Sequence, residues 1–396
     1  MATRMILPAF AAAVSAFPFS PSSSPLIDRQ ACTPATDVPS VSNSLLPNPF
    51  IFADGSEVTT ADEWTCRQEE ILNAFQQYEL GDLPPAPDSL EASLNGGTLS
   101  ISVTVGGSSA SFSASVSGGS GGSSGAIIGL GPVALPLPGG VATITFDNSA
   151  FAQQNGGSSR GQGIFYDLFG SDHSAGALTA WAWGISRIID ALEQLGAETT
   201  GIDTARLGVT GCSRNGKGAF VAGALDTRIA LTIPQESGAG GSACWRISDS
   251  EKAKGKNVQT ASQIVGENVW FSTRFDSWTS DTSRLPYDHH LLAGLIAPRG
   301  LYVPENNIDW LGPVSMTACM RASRLVYEAL GASEHLGFSL VGGHGHCQFP
   351  ASQNGELDQF VNYFLLDGQT KPEIIDRSEE NAQAGDYIDW EAPVLS

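Results

Sequence analysis

Behind Thr60-Ala-Asp-Glu63, apolar residues recur at helical spacing, at Ile71, Leu72, Phe75 and Tyr78, until Gly81 and Pro84 interrupt them. A threonine followed three residues later by glutamate is a capping box, so this stretch predicts a helix. Between Leu90 and Phe146 the period shortens to two. Leu99-Ser-Ile-Ser-Val-Thr-Val105 and Ala110-Ser-Phe-Ser-Ala-Ser-Val116 alternate apolar and hydroxyl side chains between Gly/Ser turns, which predicts β-strands with one wet face. The Gly/Ser tract Ser117–Gly125 has strand candidates on both sides and predicts a long loop within one sheet rather than a linker. Ala126-Ile-Ile-Gly-Leu130 is apolar throughout and reads as a buried strand.

Further along the periods alternate. Gly176–Gly196 carries Ala180, Trp183, Ile188, Ile189 and Leu192 at helical spacing, and the short strand Leu207-Gly-Val-Thr210 follows. Ala230-Leu-Thr-Ile-Pro234 predicts a strand ending at Gln235-Glu236, and Gly300-Leu-Tyr-Val-Pro304 one ending at Glu305. Phe338-Ser-Leu-Val341 leads into Gly342-Gly-His-Gly-His-Cys347. Strands alternating with helices predict an open, mostly parallel α/β sheet whose functional residues gather at the strand C-terminal ends.

The first residues change the picture of where this fold matures. Met1 to about Ala16 carry one cation, Arg4, an apolar run from Met5 to Val14 and a small-residue end, which reads as a secretory signal. Phe17 to about Gln30 is a short Ser/Pro-rich segment, and 31–396 is expected to be one catalytic domain. No other run approaches the roughly 18 apolar residues of a membrane span. The six cysteines are even in number and scattered without a Cys-x-x-Cys pair, which in a secreted chain favours three disulfides over a metal site, although spacing leaves all fifteen connectivities open. A net charge of −21, from 41 acidic and 20 basic residues, argues against nucleic acid and anionic membranes as partners. No Asn-x-Ser/Thr sequon occurs, so N-glycosylation is not expected.

Candidate chemistry centres on Arg206-Leu-Gly-Val-Thr-Gly-Cys-Ser-Arg-Asn-Gly-Lys-Gly-Ala219. Ser213 falls on a glycine-flanked turn between a short strand and a small-residue helix, where a hydrolase projects its nucleophile. Its base is expected on the loop after the last core strand, where His344 and His346 both lie, and spacing does not choose between them. The acid could be Glu236, Glu305 or Asp309, all at predicted strand ends, with spacing favouring the last two because the usual acid follows the strand before the histidine strand. His289-His290 lacks the clustered carboxylates or thiolates of a metal centre, so no metal and no cofactor are expected.

Gly211-Cys-Ser-Arg-Asn-Gly-Lys-Gly-Ala219 departs from the common Gly-x-Ser-x-Gly elbow by placing Asn215 at the second glycine position, and it resembles the signature of fungal glucuronoyl esterases, carbohydrate esterase family fifteen. Pro47-Asn-Pro-Phe50, Trp64–Gly81, Pro234-Gln-Glu-Ser-Gly238, Gly266-Glu-Asn-Val-Trp270, Asn307-Ile-Asp-Trp310 and His344-Gly-His-Cys347 extend the likeness over nearly the whole mature chain. The resemblance implies an α/β-hydrolase fold, a three-layer αβα sandwich. It implies a triad of Ser213, His346 and Glu236, against the spacing preference, with Glu305 and Asp309 in reserve, and Arg214 supporting the oxyanion. It further implies sugar contacts from Lys217, Gln259, Glu267 and Trp310, and disulfides Cys32–Cys66, Cys212–Cys347 and Cys244–Cys319. The implied activity is that of a secreted, monomeric serine esterase. Its substrate would be the ester between 4-O-methyl-D-glucuronic acid of glucuronoxylan and lignin alcohols. Rival expectations are an acetyl or feruloyl esterase, a thiol enzyme using Cys212, and a catalytically silent carbohydrate-binding protein.

Overall fold

The serine-rich alternation of the first third of the chain folds into three antiparallel strands, β1 (Ser89–Asn95), β2 (Thr98–Val105) and β3 (Ser108–Ser117). On β2, Leu99, Ile101 and Val103 are buried while Ser100 and Ser102 face out, where Ser102 meets the Ser111 hydroxyl at 2.9 Å. A period of two thus divides one strand between core and water. The computed structural model describes residues 33–118 and 124–396, and Pro34–Ser396 packs as one unit. The expected signal, the Ser/Pro-rich segment and Cys32 lie outside the described residues.

Seven more strands complete a ten-stranded sheet of order β1-β2-β3-β5-β4-β6-β7-β8-β9-β10. They are β4 (Ser124–Leu130), β5 (Ala142–Phe146), β6 (Ile202–Cys212), β7 (Ile229–Gln235), β8 (Gly300–Glu305), β9 (Leu336–Leu340) and β10 (Asp376–Arg377). Strands β4 to β10 pair in parallel, and β3 joins them antiparallel through β5. The sheet therefore holds both ends of the Gly/Ser tract, as the flanking strands predict.

Among the described residues, the five helices of twelve residues or more are α1 (Ala61–Phe75), α2 (Ala177–Leu195), α3 (Arg214–Leu225), α4 (Pro313–Ala329) and α5 (Asn354–Leu365). Ala126, Ile128 and Leu130 of β4 join the larger core with residues of α2, α3 and α4. Ile127 points the other way, into a second core with Leu231, Ile233, Tyr302 and Leu357, Phe360, Val361 and Leu365 of α5. Each such side chain contributes about 1.5–3 kcal/mol on leaving water. A sheet covered on both faces is what the near-continuous burial along β4, β8 and β9 requires. This is the three-layer αβα architecture of an α/β-hydrolase.

Helix α1 carries the capping box: Glu63 N–H donates to Thr60 Oγ1, and Thr60 N–H to Glu63 Oε2, both at 3.1 Å. The helical period predicts α-helix up to Gly81, but Gln76–Leu80 forms a π-helical turn. That turn carries Glu79 into the core, where Trp245 Nε1 donates to its Oε2 at 3.1 Å. Gly81 ends the element with φ 75°, and a Cβ there would stand 2.1 Å from the Ser174 carbonyl.

Candidate active site

Parallel strands deliver their C-terminal ends to one edge of the sheet, and β6, β7 and β9 each lead into a loop carrying one member of the site. Ser213 follows β6 with φ 61° and ψ −124° and is the N-cap of α3. A non-glycine residue there costs on the order of 1–3 kcal/mol, recovered from the packing that over-determines the turn. The neighbouring glycines are forced by close approach: a Cβ on Gly211 would lie 2.4 Å from the Asn215 carbonyl, and one on Gly216 2.6 Å from that of Gln235. Asn215 brings an amide to the turn. Its Nδ2 donates to Leu130 O at 2.9 Å and its Oδ1 accepts from Asn148 Nδ2 at 3.0 Å, tying the start of α3 to the end of β4.

Glu236 stands directly after β7, buried and with φ 45°. Its Oε2 accepts from His346 Nδ1 at 2.7 Å and from the Cys347 N–H at 3.0 Å. A carboxylate on Nδ1 fixes that nitrogen as the donor, so Nε2 of His346 carries the free lone pair. That Nε2 is buried without a partner among the described residues, and His346 lines the same cavity as Ser213. His344 stands further from the carboxylate, its Nδ1 3.7 Å from Glu236 Oε1. Its Nε2 lies 2.8 Å from the Val341 carbonyl, which only accepts, and its Nδ1 takes the Asn306 amide at 3.2 Å.

Cys212 and Cys347 form a disulfide across 135 residues, joining the residue before Ser213 to the residue after His346. Cys244 and Cys319 form a second, across 75 residues. Closing loops of such length restricts the unfolded chain by about 4–5 kcal/mol each in the chain-entropy model. The expected partner of Cys66 lies outside the described residues. Among the described residues, the tight cluster of metal-ligand types is Cys212, His346 and Cys347, and its two sulfurs are spent on the disulfide. His289 is held in the core between Gly241 O and Glu79, and His290 donates to Pro47 O.

The cavity above Ser213 measures about 280 Å3. All the expected site residues line it except Glu236, which stands behind His346. Trp310 meets the His346 ring edge-on at 4.9 Å. Gln259 Nε2 donates to Glu267 Oε2 at 2.9 Å. Lys217 is buried and donates to the Ser237 carbonyl at 2.5 Å. Burial pushes its ammonium down to about 8, with Glu305 and Glu267 pulling upward and Arg214 downward. A larger depression of about 960 Å3 opens over Arg246 and Asp249, but neither the nucleophile nor the base faces it, so chemistry rather than size selects the site. Trp270 also lines the cavity; the sequence offers it only as the end of Gly266-Glu-Asn-Val-Trp270, with no role. Its nearness to Glu267 on the chain is the one signal that sets it apart.

The two carboxylates favoured by spacing take other places. Asp309 opens the short turn that carries Trp310 and faces a separate hollow with Lys256 and Glu380. Glu305, at the end of β8, accepts through Oε1 from Ser237 N–H at 2.9 Å, Ser237 Oγ at 3.0 Å and Ser242 Oγ at 2.5 Å, and makes no bond to His346. Burial lifts its carboxyl from 4.5 to about 7; the Ser242 bond opposes this and the Glu236 charge adds to it. The folded state therefore holds a proton that the unfolded chain has released, so this group's contribution to stability falls as pH rises from about 4.5 to 7. Glu305→Gln, which cannot ionise, is expected to gain up to about 3 kcal/mol on the wild type between pH 5 and 8, measured by urea unfolding across that range. A difference independent of pH would show that Glu305 is already ionised at pH 5.

Residues 101–331 match the family described as "Glucuronyl esterase, fungi". The chain is 58% identical over 393 residues to a 4-O-methyl-glucuronoyl methylesterase of Neurospora crassa, covering 99% of each. A serine-to-alanine variant of a glucuronoyl esterase from Sporotrichum thermophile, solved with methyl 4-O-methyl-β-D-glucopyranuronate, superposes with a TM-score of 0.91. It is 59% identical and covers 92% of this chain and 100% of that one. The glucuronoyl esterase catalytic domain from Hypocrea jecorina gives a TM-score of 0.88 at 53% identity, over 91% of this chain and 99% of that one.

Proposed function

The chain belongs to the fungal glucuronyl esterase family, and from that footing we propose that it hydrolyses 4-O-methyl-D-glucuronoyl esters through a covalent acyl-enzyme on Ser213. The observation that carries the proposal is the bond from His346 Nδ1 to Glu236, which leaves an unpartnered Nε2 in the cavity of Ser213. His346 Nε2 takes the Ser213 proton as Oγ attacks the C6 carbonyl, and Glu236 stabilises the imidazolium that forms. The Arg214 N–H, at the start of α3, and its guanidinium hold the oxyanion. His346 returns the proton to the departing alcohol, and water repeats the sequence to free the uronate.

Lys217, Gln259, Glu267 and the Trp310 indole supply donors, acceptors and an apolar plane for the pyranose. The natural ester would join glucuronoxylan to a lignin alcohol, outside the cell. Among the described residues, the exposed large apolar side chains are Val41, Ile374 and Val394, far apart in sequence, which supports a monomer.

Kinetics on benzyl D-glucuronate and methyl 4-O-methylglucuronate, set against 4-nitrophenyl acetate and methyl ferulate, test the substrate class. A site built to bond sugar hydroxyls is expected to prefer the uronates by at least about 100-fold in kcat/KM. Comparable values on acetate or ferulate would make this a wall esterase of another specificity.

A further inference from the structure

Arg214 is exposed at the first turn of α3, and among the described residues its guanidinium makes no hydrogen bond or ion pair. An arginine so placed samples many rotamers and holds no fixed charge over a reacting centre. One contact restrains it: its Cζ lies 5.4 Å from the centroid of the Trp270 ring, within reach of the negative face of the indole.

The indole is itself held. Trp270 is 2% exposed, and its Nε1–H donates to Gln154 Oε1 at 3.1 Å. Gln154 is fixed in turn: its carbonyl accepts from Asn268 Nδ2 at 2.9 Å, and its Nε2 donates to Ser149 Oγ at 2.9 Å and reaches Asn215 Oδ1 at 3.5 Å. Asn215 is the next residue after Arg214. The path from guanidinium to indole, Gln154, Asn215 and back along one peptide bond is therefore a closed ring of contacts. With glycine at position 215 the ring would lack its amide and end at Gln154.

We propose that Trp270 is a positioning residue that holds the Arg214 guanidinium toward the oxyanion, and that Asn215, standing where the common elbow has glycine, anchors the indole through Gln154. This rests on the oxyanion role of Arg214 given above. Lys217 lies 5.7 Å from the same ring, so the indole also faces a second cation that an aliphatic side chain would leave unscreened.

The test is a double-mutant cycle in the whole protein on benzyl D-glucuronate, with thermal midpoints recorded for each variant. Trp270→Leu is expected to lower kcat by about five- to thirty-fold with KM within about two-fold, and Trp270→Phe, which keeps a ring, to lose about three-fold or less. Trp270→Leu added to Arg214→Met is expected to cost nothing further in kcat. Losses that multiply in the double variant would overturn the proposal, as would a rise in KM at unchanged kcat, which would make the indole a sugar platform. An unchanged kcat in Arg214→Met would remove the oxyanion role itself, whatever Trp270 does, so the two failures are distinguishable. Should Trp270→Leu not fold, Gln154→Met keeps the ring and removes its acceptor. It is expected to lower kcat about two- to five-fold, and an unchanged kcat there counts against the proposal.

Discussion

Ser213→Ala is expected to lower kcat on a glucuronate ester by about six orders of magnitude while the ester still binds within a few-fold of the wild-type Kd. Alanine keeps the Cβ, so the turn at φ 61° is no more strained than with serine, and the cavity residues that hold the sugar stay in place. What disappears is the oxygen that forms the acyl bond. Water activated by His346 is the remaining nucleophile, and the oxyanion donors and binding would sustain only about 10^3 to 10^4 over the uncatalysed rate. Single-turnover kinetics beside calorimetric titration of the unhydrolysed ester would read both quantities. A loss smaller than about 100-fold would move the nucleophile off Ser213. Cys212 is no substitute, since its sulfur is bonded to Cys347 and offers no thiolate. Thiol-alkylating reagents are accordingly expected to leave the wild-type rate unchanged.

Much of this site is legible in the chain because it depends on local pattern. The alternation from Leu99 to Val116 announces strands with one hydroxyl face, and Gly211 and Gly216 announce a turn too tight for side chains. The partner of the histidine is not local. Strands β7 and β8 are parallel neighbours, so Glu236 and Glu305 arrive at the same edge of the sheet, about 4.8 Å apart in the strand-pairing direction. Spacing along the chain does not register one strand width.

The disulfide resolves the choice physically. Cys347 is bonded to Cys212, and Cys212 is the register partner of Gln235, so the histidine loop is pinned over the end of β7, one residue from Glu236. Strand order alone favours Glu305 and Asp309, and this tether overrides it. Trp270 escaped for a different reason: in Val269-Trp-Phe271 an indole that faces a cavity is chemically the same letter as one that fills a core. The π-turn at Gln76–Leu80 is similarly hidden, because one extra residue per turn leaves the apolar spacing of Ile71, Leu72 and Phe75 untouched.

Glu236→Gln is expected to lower kcat by about one to two orders of magnitude, whereas Glu305→Gln at neutral pH costs less than about ten-fold. One oxygen of the carboxylate accepts from His346 Nδ1 and from the Cys347 N–H, with the Asn306 amide further off at 3.5 Å. A glutamine whose oxygen takes that place still accepts both, and its NH2 falls where Oε1 stands, so the bond to His346 survives without its charge. The lone pair of Nε2 stays free, but the imidazolium that forms as it takes the Ser213 proton faces a neutral oxygen instead of a carboxylate. Glu305 faces Ser237 and Ser242 rather than the imidazole, so its neutral isostere leaves the charge beside His346 in place. Both variants would be compared by kcat at constant pH, with their thermal midpoints to exclude unfolding. A loss of less than about ten-fold in Glu236→Gln, deepened by adding Glu305→Gln, would mean that the carboxylate at the end of β8 orients the base instead.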